Sequence, residues 1–440
     1  MPLYLGIDLG TSACRALAID AAGAVCAQAT APLPPPLRLG AGVEQDPALW
    51  WQALTAALHE LFQHIPAEQV TALAIDGTSG TLLLCSAYGE PLANALMYND
   101  ARSICEASYI DEVAPAASGA HGPSSALAKL MHLQASLGPR ARYALTPADW
   151  IAWKLGAPLG VSDAHNCLKL GYDVIARRWP DWLNRLGVRR ELLPEVVVSG
   201  TDIGTVSATV STQLGLRVDT RIVAGTTDST AAFIATGAHL PGEAVTSLGS
   251  TLVMKVLSEK PVFAPQYGVY SHRLGDLWLA GAGSNSGGAV LRHFFTPQQI
   301  AAMTPRLHPE RPTGLDYYPL VAPGERFPLN DPALAPRLAP RPADDVEFFQ
   351  GMLEGMARIE QRAYQVLAEL GAPYPVSVRS VGGGAANTSW SLMRARLLGV
   401  PLITPAQHEA AYGAALLALH GTRLLPAPAQ PASAGGVQPA

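Results

Sequence analysis

Apolar runs alternate with turn residues and with segments of helical spacing along most of this chain. Residues 3–9 and 25–30 are predicted strands, and the alternation at residues 15–20 predicts a third strand between them. The opening segment therefore predicts an antiparallel meander. Residues 47–65 follow with apolar side chains at helical spacing, and residues 70–75 form a compact predicted strand. This alternation of strands and helices predicts an α/β architecture.

A strand–turn–strand pattern occurs twice. Residues 242–256 predict two strands around the turn Leu-Gly-Ser-Thr at 248–251, and residues 9–12 carry Leu-Gly-Thr-Ser between the first two predicted strands. The shared order of an apolar residue, a glycine and two hydroxyl residues indicates an internal duplication. We place a domain boundary near residue 237.

The remainder of the second half contains one long predicted helix and two irregular segments. Residues 345–370 have helical spacing, and residues 376–381 predict a strand that ends at three glycines. The proline-rich residues 304–345 predict an excursion on the second domain, outside its core. The Ala/Pro-rich composition of residues 422–440 predicts a disordered tail.

Composition narrows the class of protein. The chain has 440 residues, of which 49% are hydrophobic and 15% charged, and this excludes a disordered protein. The formal net charge is −5 and no basic run stands out, which argues against a nucleic-acid partner. The five cysteines have no zinc-site spacing. No signal peptide and no apolar stretch of about 20 residues is visible, so we expect a cytoplasmic protein without a membrane partner.

Asp8 is the first candidate for chemistry, because it interrupts an apolar strand. Burial of a carboxylate is costly unless a cation or hydrogen-bond donors compensate its charge. A divalent metal near a nucleotide would do so, and Gly10, Thr11 and Ser12 could present N–H and hydroxyl groups to phosphate oxygens. A hydrogen bond from a neighbouring turn to the carboxylate is the alternative.

Asp228 is the second candidate, at the end of a predicted strand and the start of a predicted helix. Asp is a preferred N-cap residue, and this structural role is open. A carboxylate at the carboxyl end of a central strand also points into the cleft where α/β proteins bind ligands. There it could accept a proton from a substrate hydroxyl during phosphoryl transfer.

Two glycine-containing segments are candidate nucleotide contacts. The turn at 249–251 and its copy at 10–12 could bind a polyphosphate from two sides. Considered without the other copy, either turn is compatible with an ordinary β-turn. The glycines at 382–384 would let a ligand approach the backbone, and the indole of Trp390 could pack on a base. A dinucleotide fingerprint is excluded, because Asn387 stands at its sixth position and no acidic residue ends the next strand.

In this order, the segments resemble the FGGY family of carbohydrate kinases, within the actin/Hsp70/hexokinase superfamily. The resemblance extends to about residue 421. Its motifs are Ile-Asp-Leu-Gly-Thr-Ser at 7–12, Asn-Asp-Ala-Arg at 99–102, Ser-Ser-Ala-Leu-Ala-Lys at 124–129, Gly-Thr-Thr-Asp at 225–228, Ser-Leu-Gly-Ser-Thr at 247–251, Gly-Glu-Arg-Phe-Pro at 324–328 with Asp-Pro at 331–332, and Gly-Gly-Gly at 382–384 with Asn387.

The resemblance implies two ribonuclease-H-like α/β domains that flank a catalytic cleft. Residues 1–236 would form the sugar-binding N-terminal domain, joined by a C-terminal helix at 408–421. Residues 237–407 would form the nucleotide-binding C-terminal domain. ATP and Mg²⁺ would be the cofactors, and a small ketose the acceptor, in a monomer or homodimer.

The resemblance also implies roles for individual residues. Asp228 would be the general base that deprotonates the sugar hydroxyl, Asp8 would help to hold magnesium, and Thr11 would take part in catalysis. The remaining contacts fall into three groups: phosphate contacts Thr11, Ser12, Gly249, Ser250 and Thr251; adenosine contacts Gly383, Gly384, Asn387 and Trp390; and sugar contacts Asp8, Ser79, Asn99, Asp100 and Asp228.

The acceptor is suggested by the loop at residues 76–81, Asp-Gly-Thr-Ser-Gly-Thr. It lacks the Gln-Met-His run usual in xylulose kinases and the Arg–Glu pair of glycerol kinases. Together with residues 162–173, it resembles the small cyanobacterial and plant branch of the family that phosphorylates D-ribulose. We expect D-ribulose as the acceptor and D-ribulose 5-phosphate as the product, with D-xylulose as the alternative.

A different class of function also fits the nucleotide motifs. Actin-like and Hsp70-like relatives use the same cleft as a conformational switch without a small-molecule acceptor, and a catalytically silent sugar sensor is a further alternative. The candidate sugar contacts Ser79, Asn99, Asp100 and Asp228 argue against the switch. The presence of both Asp8 and Asp228 argues against the silent sensor. ADP release stimulated by a sugar would distinguish a kinase from a switch.

Overall fold

The computed structural model describes residues 1–424, and its strands have the following bounds. They are β1 (Leu3–Leu9), β2 (Ala13–Ile19), β3 (Val25–Pro32), β4 (Leu37–Leu39), β5 (Gly42–Gln45), β6 (Val70–Gly77), β7 (Leu83–Cys85), β8 (Ala95–Leu96), β9 (Tyr143–Leu145), β10 (Val161–Asp163), β11 (Glu195–Val197), β12 (Asp202–Thr205), β13 (Arg221–Thr227), β14 (Glu243–Leu248), β15 (Leu252–Ser258), β16 (Tyr270–Leu274), β17 (Leu277–Ser284), β18 (Ser377–Val381) and β19 (Leu402–Ile403).

The α-helices of the same residues lie between and after these strands. They are α1 (Pro47–Leu61), α2 (Ile104–Val113), α3 (Ala126–Leu137), α4 (Pro147–Leu155), α5 (Ala164–Cys167), α6 (Trp182–Arg185), α7 (Ala208–Leu214), α8 (Asp228–Ala235), α9 (Gly288–Phe294), α10 (Pro297–Met303), α11 (Asp345–Glu369), α12 (Thr388–Leu398) and α13 (Ala410–His420). Among the described residues, no helix is both long enough and apolar enough to cross a bilayer.

Two six-stranded sheets form the centres of the two halves. The first has the order β12-β13-β6-β1-β2-β3 and the second the order β16-β17-β15-β14-β18-β19. In both, an antiparallel meander (β1-β2-β3, or β14-β15-β17) continues into parallel strands (β6 and β13, or β18 and β19). The sheets therefore repeat one topology, as expected from the internal duplication predicted from the turns at 9–12 and 248–251.

The helix α1 is present but shorter than residues 47–65, over which the apolar side chains have helical spacing. Asp46 caps its start, with a side-chain oxygen 2.9 Å from Ala48 N, and its apolar face is buried against the first sheet. The helix ends at Leu61, whereas the sequence predicts 65. Pro66 disfavours helical geometry in the residue before it, so the chain leaves the helix in a turn.

The helix α13 returns from the second half to pack on the first sheet at very short distances. A Cβ added at Gly6 of β1 would lie 1.8 Å from Ala411 O, and one added at Gly413 would lie 1.9 Å from Ala231 O of α8. Only glycine allows these approaches. The assignment of a helix at 408–421 to the first domain, like the boundary at 236–237, stays a prediction. From residue 425 onward, the predicted tail lies outside the described residues.

The expectation that residues 304–345 lie outside the core is wrong. They form almost no regular structure, yet Tyr317 and Phe327 are buried in the second apolar core. Gly351 and Gly355 of α11 provide the space, since a Cβ at Gly355 would lie 2.8 Å from Tyr317 O. An irregular segment thus covers α11 and completes the core with its aromatic side chains.

Candidate active site

Three carboxylates stand at the carboxyl ends of three adjacent parallel strands of the first sheet. Asp8 ends β1 and pairs in register with Asp76 of β6, while Asp228 follows β13, whose Thr226 pairs with Asp76. Ligands of open α/β sheets bind at this edge. The fold therefore brings Asp8 and Asp228, which the sequence analysis singled out, to the same edge and adds Asp76 between them.

Asp8 is buried, with 5% of its surface exposed, and is partly compensated by Arg15. Arg15 Nη1 lies 2.9 Å from Asp8 Oδ2. Burial raises the pKa of Asp8 above its ordinary value, against the charge and the hydrogen bond of Arg15, which lower it. The alternative of a hydrogen bond from a neighbouring turn is therefore replaced by an ion pair with the next strand.

Asp76 is a candidate site residue that the sequence analysis did not identify. It is 0% exposed, and neither carboxylate oxygen has a hydrogen-bond donor among the described residues. Burial and the nearby Asp8 charge raise its pKa well above the ordinary value. Native proteins rarely leave a buried polar group without a partner unless a ligand or a functional role explains it. The signal was available, because Asp76 interrupts an apolar strand just as Asp8 does.

Asp228 is the first residue of α8 and does not act as its N-cap, a position taken by Thr227. The backbone N–H of Ser229 donates to Asp228 Oδ1 at 2.6 Å. Burial and the Asp8 charge together raise the pKa of Asp228 to about 6, against the Ser229 N–H, Lys255 and Lys169, which lower it. A carboxylate with this pKa is ionised at neutral pH and is still basic enough to accept a proton.

Two lysines that the sequence analysis missed place positive charge near Asp228. Lys255 of β15 crosses from the second half, and its Nζ donates to Ser229 O at 2.8 Å and to Ser229 Oγ at 2.9 Å. Burial lowers the pKa of Lys255 to about 8. Lys169 packs against the loop after β6, where a Cβ at Gly80 would lie 3.4 Å from its Cδ. Lys255 lies in no motif of the sequence analysis, and Lys169 lies in the segment 162–173 without having been singled out there, so the tertiary structure reveals their position near Asp228.

The predicted sugar contacts separate into two kinds. Ser79 Oγ and Asn99 Oδ1 are buried and lack a hydrogen-bond partner among the described residues, so a ligand hydroxyl could supply one. Asp100 is different, because it already accepts from Val43 N at 2.7 Å and pairs with Arg102 at 2.8 Å. The expected sugar contact of Asp100 is therefore corrected: its oxygens hold β5 and Arg102 in place.

The predicted phosphate contacts form the turns at the ends of β1 and β14. Thr11 and Thr251 are half-buried, and Ser12 and Ser250 are exposed. Ser250 Oγ accepts from Arg292 Nη2 at 2.7 Å, and Gly249 O accepts from Gly288 N at 2.9 Å. The second turn is thus hydrogen-bonded to the start of α9, and the Arg292 guanidinium lies beside the Ser250 hydroxyl.

The glycine loop after β18 lies directly against this second turn. A Cβ at Gly382 would lie 3.3 Å from Gly249 N, while Gly383 has no atom within 4 Å of the equivalent position. The structure therefore brings the predicted adenosine and phosphate segments together. Gly383 gives a ligand open access to the backbone, whereas Gly384 packs on Trp390.

Trp390 does not offer the face for a base that the sequence analysis expected. It is 2% exposed in the second core, and its indole N–H donates to Leu353 O at 3.0 Å. Asn387 Oδ1 in turn accepts from Trp390 N at 2.9 Å and caps α12. Trp390 therefore packs against Gly384 of the glycine loop from the core side. The predicted stacking of its indole on a base is corrected accordingly.

A cavity of about 330 Å³ lies beside Lys169, and none of the three carboxylates is among its lining residues. Its walls come from both halves of the molecule: residues 116–125 and Lys169 on one side, and residues 265–270 on the other. Small-molecule sites are typically concave and lie between domains. Its volume is that of a small-molecule site.

The residues present fit a magnesium ion that is shared with a nucleotide. Among residues 1–424, no group of three or more His, Cys, Asp or Glu side chains is arranged to hold a metal. Magnesium bound with a nucleotide, however, takes only one or two carboxylates, and phosphates and water complete its shell. Asp8, with the unpartnered oxygens of Asp76 beside it, meets that requirement.

Comparison with known proteins agrees with this geometry. The chain is 28% identical over 430 residues to the xylulose kinase of Escherichia coli, covering 91% of this chain and 86% of the relative. It is 29% identical over 434 residues to the xylulose kinase of Streptomyces coelicolor, covering 94% and 87%. A solved structure described as a xyloylose kinase from Brucella ovis superposes with a TM-score of 0.87 at 26% identity, covering 96% of this chain and 90% of that chain.

The family is shown by two matches that together span nearly all described residues. The N-terminal domain of the FGGY carbohydrate kinases matches residues 3–235, and the C-terminal domain matches residues 244–422. The predicted two-domain α/β fold is confirmed, and the kinase family decides against a nucleotide switch of the actin or Hsp70 type. This chain belongs to the FGGY family of carbohydrate kinases, which use ATP with Mg²⁺.

Proposed function

We propose that this chain transfers the γ-phosphoryl group of ATP to the terminal hydroxyl of a ketopentose, with D-xylulose as the first candidate. The observation that carries the proposal is the position of Asp228, at the carboxyl end of β13 and with its pKa raised to about 6. The unpartnered oxygens of Asp76, Ser79 and Asn99 support a hydroxylated acceptor. The xylulose kinases among the relatives support D-xylulose better than D-ribulose.

The proposed chemistry is a direct transfer. Asp228 accepts the proton of the acceptor hydroxyl, the hydroxyl oxygen forms a bond to the γ-phosphorus, and the bond from that phosphorus to the β-phosphate oxygen breaks to release ADP. Lys255 and Lys169 supply positive charge near the reacting groups. Magnesium held from the protein side by Asp8 would neutralise phosphate charge. Positioning of the reactants in a closed cleft excludes water as a competing acceptor.

D-ribulose is the second candidate because of the loop at 76–81. Asp76 and Ser79 of this loop are both buried with unpartnered oxygens, so the loop itself supplies polar groups to the acceptor side. The sequence of this loop also resembles that of the D-ribulose kinases of the family. The same catalytic residues would serve either ketopentose.

An acceptor panel tests the proposal. ADP release from Mg-ATP is measured with D-xylulose, D-ribulose, L-ribulose, glycerol and no acceptor. We expect the largest stimulation with D-xylulose, since the relatives are xylulose kinases. Stimulation by D-ribulose alone would transfer the assignment to the second candidate. If neither ketopentose stimulates ADP release, the ketopentose proposal is wrong.

The pH dependence of turnover tests the base. Only the ionised carboxylate of Asp228 can accept a proton, so the rate should rise with pH through about 6 and level off above it. Below the midpoint, we expect roughly a tenfold loss per pH unit. In Lys255→Met, which lacks a charge that lowers this pKa, the rising limb should move to higher pH. A flat profile from pH 4.5 to 8 would argue against Asp228 as the base.

A further inference from the structure

Lys129 of α3 is the most deeply buried cation on the acceptor side of the cleft. It is 0% exposed, and its Nζ donates to Gly80 O at 2.7 Å, to Ser124 O at 2.8 Å and to Tyr98 O at 3.3 Å. An ammonium group has three donors, and here each finds a backbone carbonyl. Among the described residues, no carboxylate forms an ion pair with it.

The three carbonyls belong to three separate connecting segments. Gly80 lies in the loop after β6, Tyr98 in the loop after β8, and Ser124 in the segment before α3. Gly80 directly follows Ser79, and Tyr98 directly precedes Asn99. One ammonium group therefore ties together the two loops that carry the buried, unpartnered Ser79 Oγ and Asn99 Oδ1.

Packing of the core does not require a lysine at this position. Its neighbours on α3, Leu127, Leu130 and Leu133, are buried apolar side chains, and Lys129 continues their face. Burial of a charge costs stability that an apolar side chain of the same volume would not cost. A lysine retained here, with all of its donors directed at loop carbonyls, points to a need for fixed loop geometry.

We propose that Lys129 is a positioning residue that holds Ser79 and Asn99 at the separation at which they bind the hydroxyls of the acceptor sugar. This inference rests on the proposed function. Lys129 itself has no free donor, so it acts on the acceptor through the two loops and leaves the nucleotide side unaffected.

The test is the variant Lys129→Met, which keeps the volume and removes all three donors. The KM for the best ketopentose should rise about tenfold or more, the loss expected when one or two hydrogen bonds to the acceptor are misaligned. The KM for ATP and the acceptor-independent hydrolysis of ATP should stay within twofold. Direct titration with the ketopentose should give the same loss of affinity.

Arg189→Met is the matched control. Arg189 also donates from a cationic side chain to backbone carbonyls of a connecting segment, Gly138 O at 2.9 Å and Ala141 O at 3.2 Å. These carbonyls adjoin none of the candidate sugar contacts. Arg189→Met should leave the acceptor KM unchanged. If both variants raise the acceptor KM equally, Lys129 has only a general structural role.

A second variant covers the case in which Lys129→Met does not fold. Lys129→Gln keeps two N–H donors, and we expect an acceptor KM between those of the parent and Lys129→Met. An acceptor KM within twofold of the parent in Lys129→Met, or in Lys129→Gln if only that variant folds, would overturn the positioning role. The proposed function fails separately, if the parent protein neither binds nor phosphorylates a ketopentose.

Discussion

Asp228→Asn should lose about 10²–10⁴-fold of the acceptor-stimulated turnover, the usual contribution of a general base. The amide has the shape of the carboxylate and can still accept the Ser229 N–H bond, so the start of α8 should keep its geometry. It cannot take up the proton of the acceptor hydroxyl. Loss of turnover with retained structure would therefore report on proton transfer alone.

Binding measurements separate this effect from a loss of substrate affinity. The affinity for ATP should be unchanged, because the predicted phosphate and adenosine segments lie in the second half of the chain and at residues 11–12. Acceptor affinity should change only slightly, since an amide still forms hydrogen bonds to a hydroxyl group. The loss should thus fall on kcat and not on KM.

Asp202→Asn is the control for the removal of a carboxylate from the same sheet. Asp202 begins β12 and is exposed. It accepts a hydrogen bond from Gly204 N at 3.2 Å and forms a long ion pair with Arg221 at 3.7 Å. Its turnover should equal that of the parent. Turnover of Asp228→Asn above one tenth of the parent value would remove Asp228 from the mechanism, and the three-carboxylate edge would need another base.

The parts of the site that were predictable are those whose signal is local in the sequence. Asp8 and Asp228 each adjoin an apolar strand and a turn, and the parallel pairing of β1, β6 and β13 brings them to one edge. The presence of two similar sheets was also predictable, because the strand–turn–strand pattern occurs twice in the sequence. Asp76 satisfied the same criterion as Asp8 but was interpreted only as the first residue of the loop at 76–81.

The remaining parts depend on tertiary contacts that the sequence does not encode locally. Lys129 ends the motif at 124–129, but the carbonyls of Gly80 and Tyr98 that it meets are 49 and 31 positions away. Lys169 packs against Gly80, which is distant in the same half, and Lys255 reaches Ser229 of the other half. For Trp390, a ligand contact was predicted where the structure has a core residue. Its place one turn after the glycine loop is compatible with the cleft or with the core, and the packing of α12 on α11 decides for the core.

Arg394→Met should lower the free energy of unfolding by about 3–5 kcal/mol, the range for breaking a buried ion pair. Arg394 is 0% exposed, and its Nε and Nη2 donate to the two oxygens of Glu360 at 2.6 and 2.7 Å. Its Nη1 donates to Ser380 Oγ at 2.8 Å, and Thr246 Oγ1 donates to Glu360 at 2.5 Å. The pair thus joins α11, α12, β14 and β18 beneath the glycine loop.

The expected loss arises from the partner that stays behind. In Arg394→Met, the Glu360 carboxylate is buried without its cation, and its charge is no longer compensated. The double variant Arg394→Met with Glu360→Leu removes both charges and should recover most of the stability. The two single losses therefore should not add, and the difference measures their coupling.

Urea unfolding of the single and double variants provides the measurement, and an exposed ion pair on the same helix provides the control. Arg362 of α11 pairs with Glu369 at the surface, so Arg362→Met should change the free energy of unfolding by no more than about 1 kcal/mol. A double variant as unstable as Arg394→Met would mean that lost packing, and not the uncompensated Glu360 charge, causes the destabilisation. Recovery in the double variant would show that the uncompensated Glu360 charge, and not lost packing, causes most of the destabilisation.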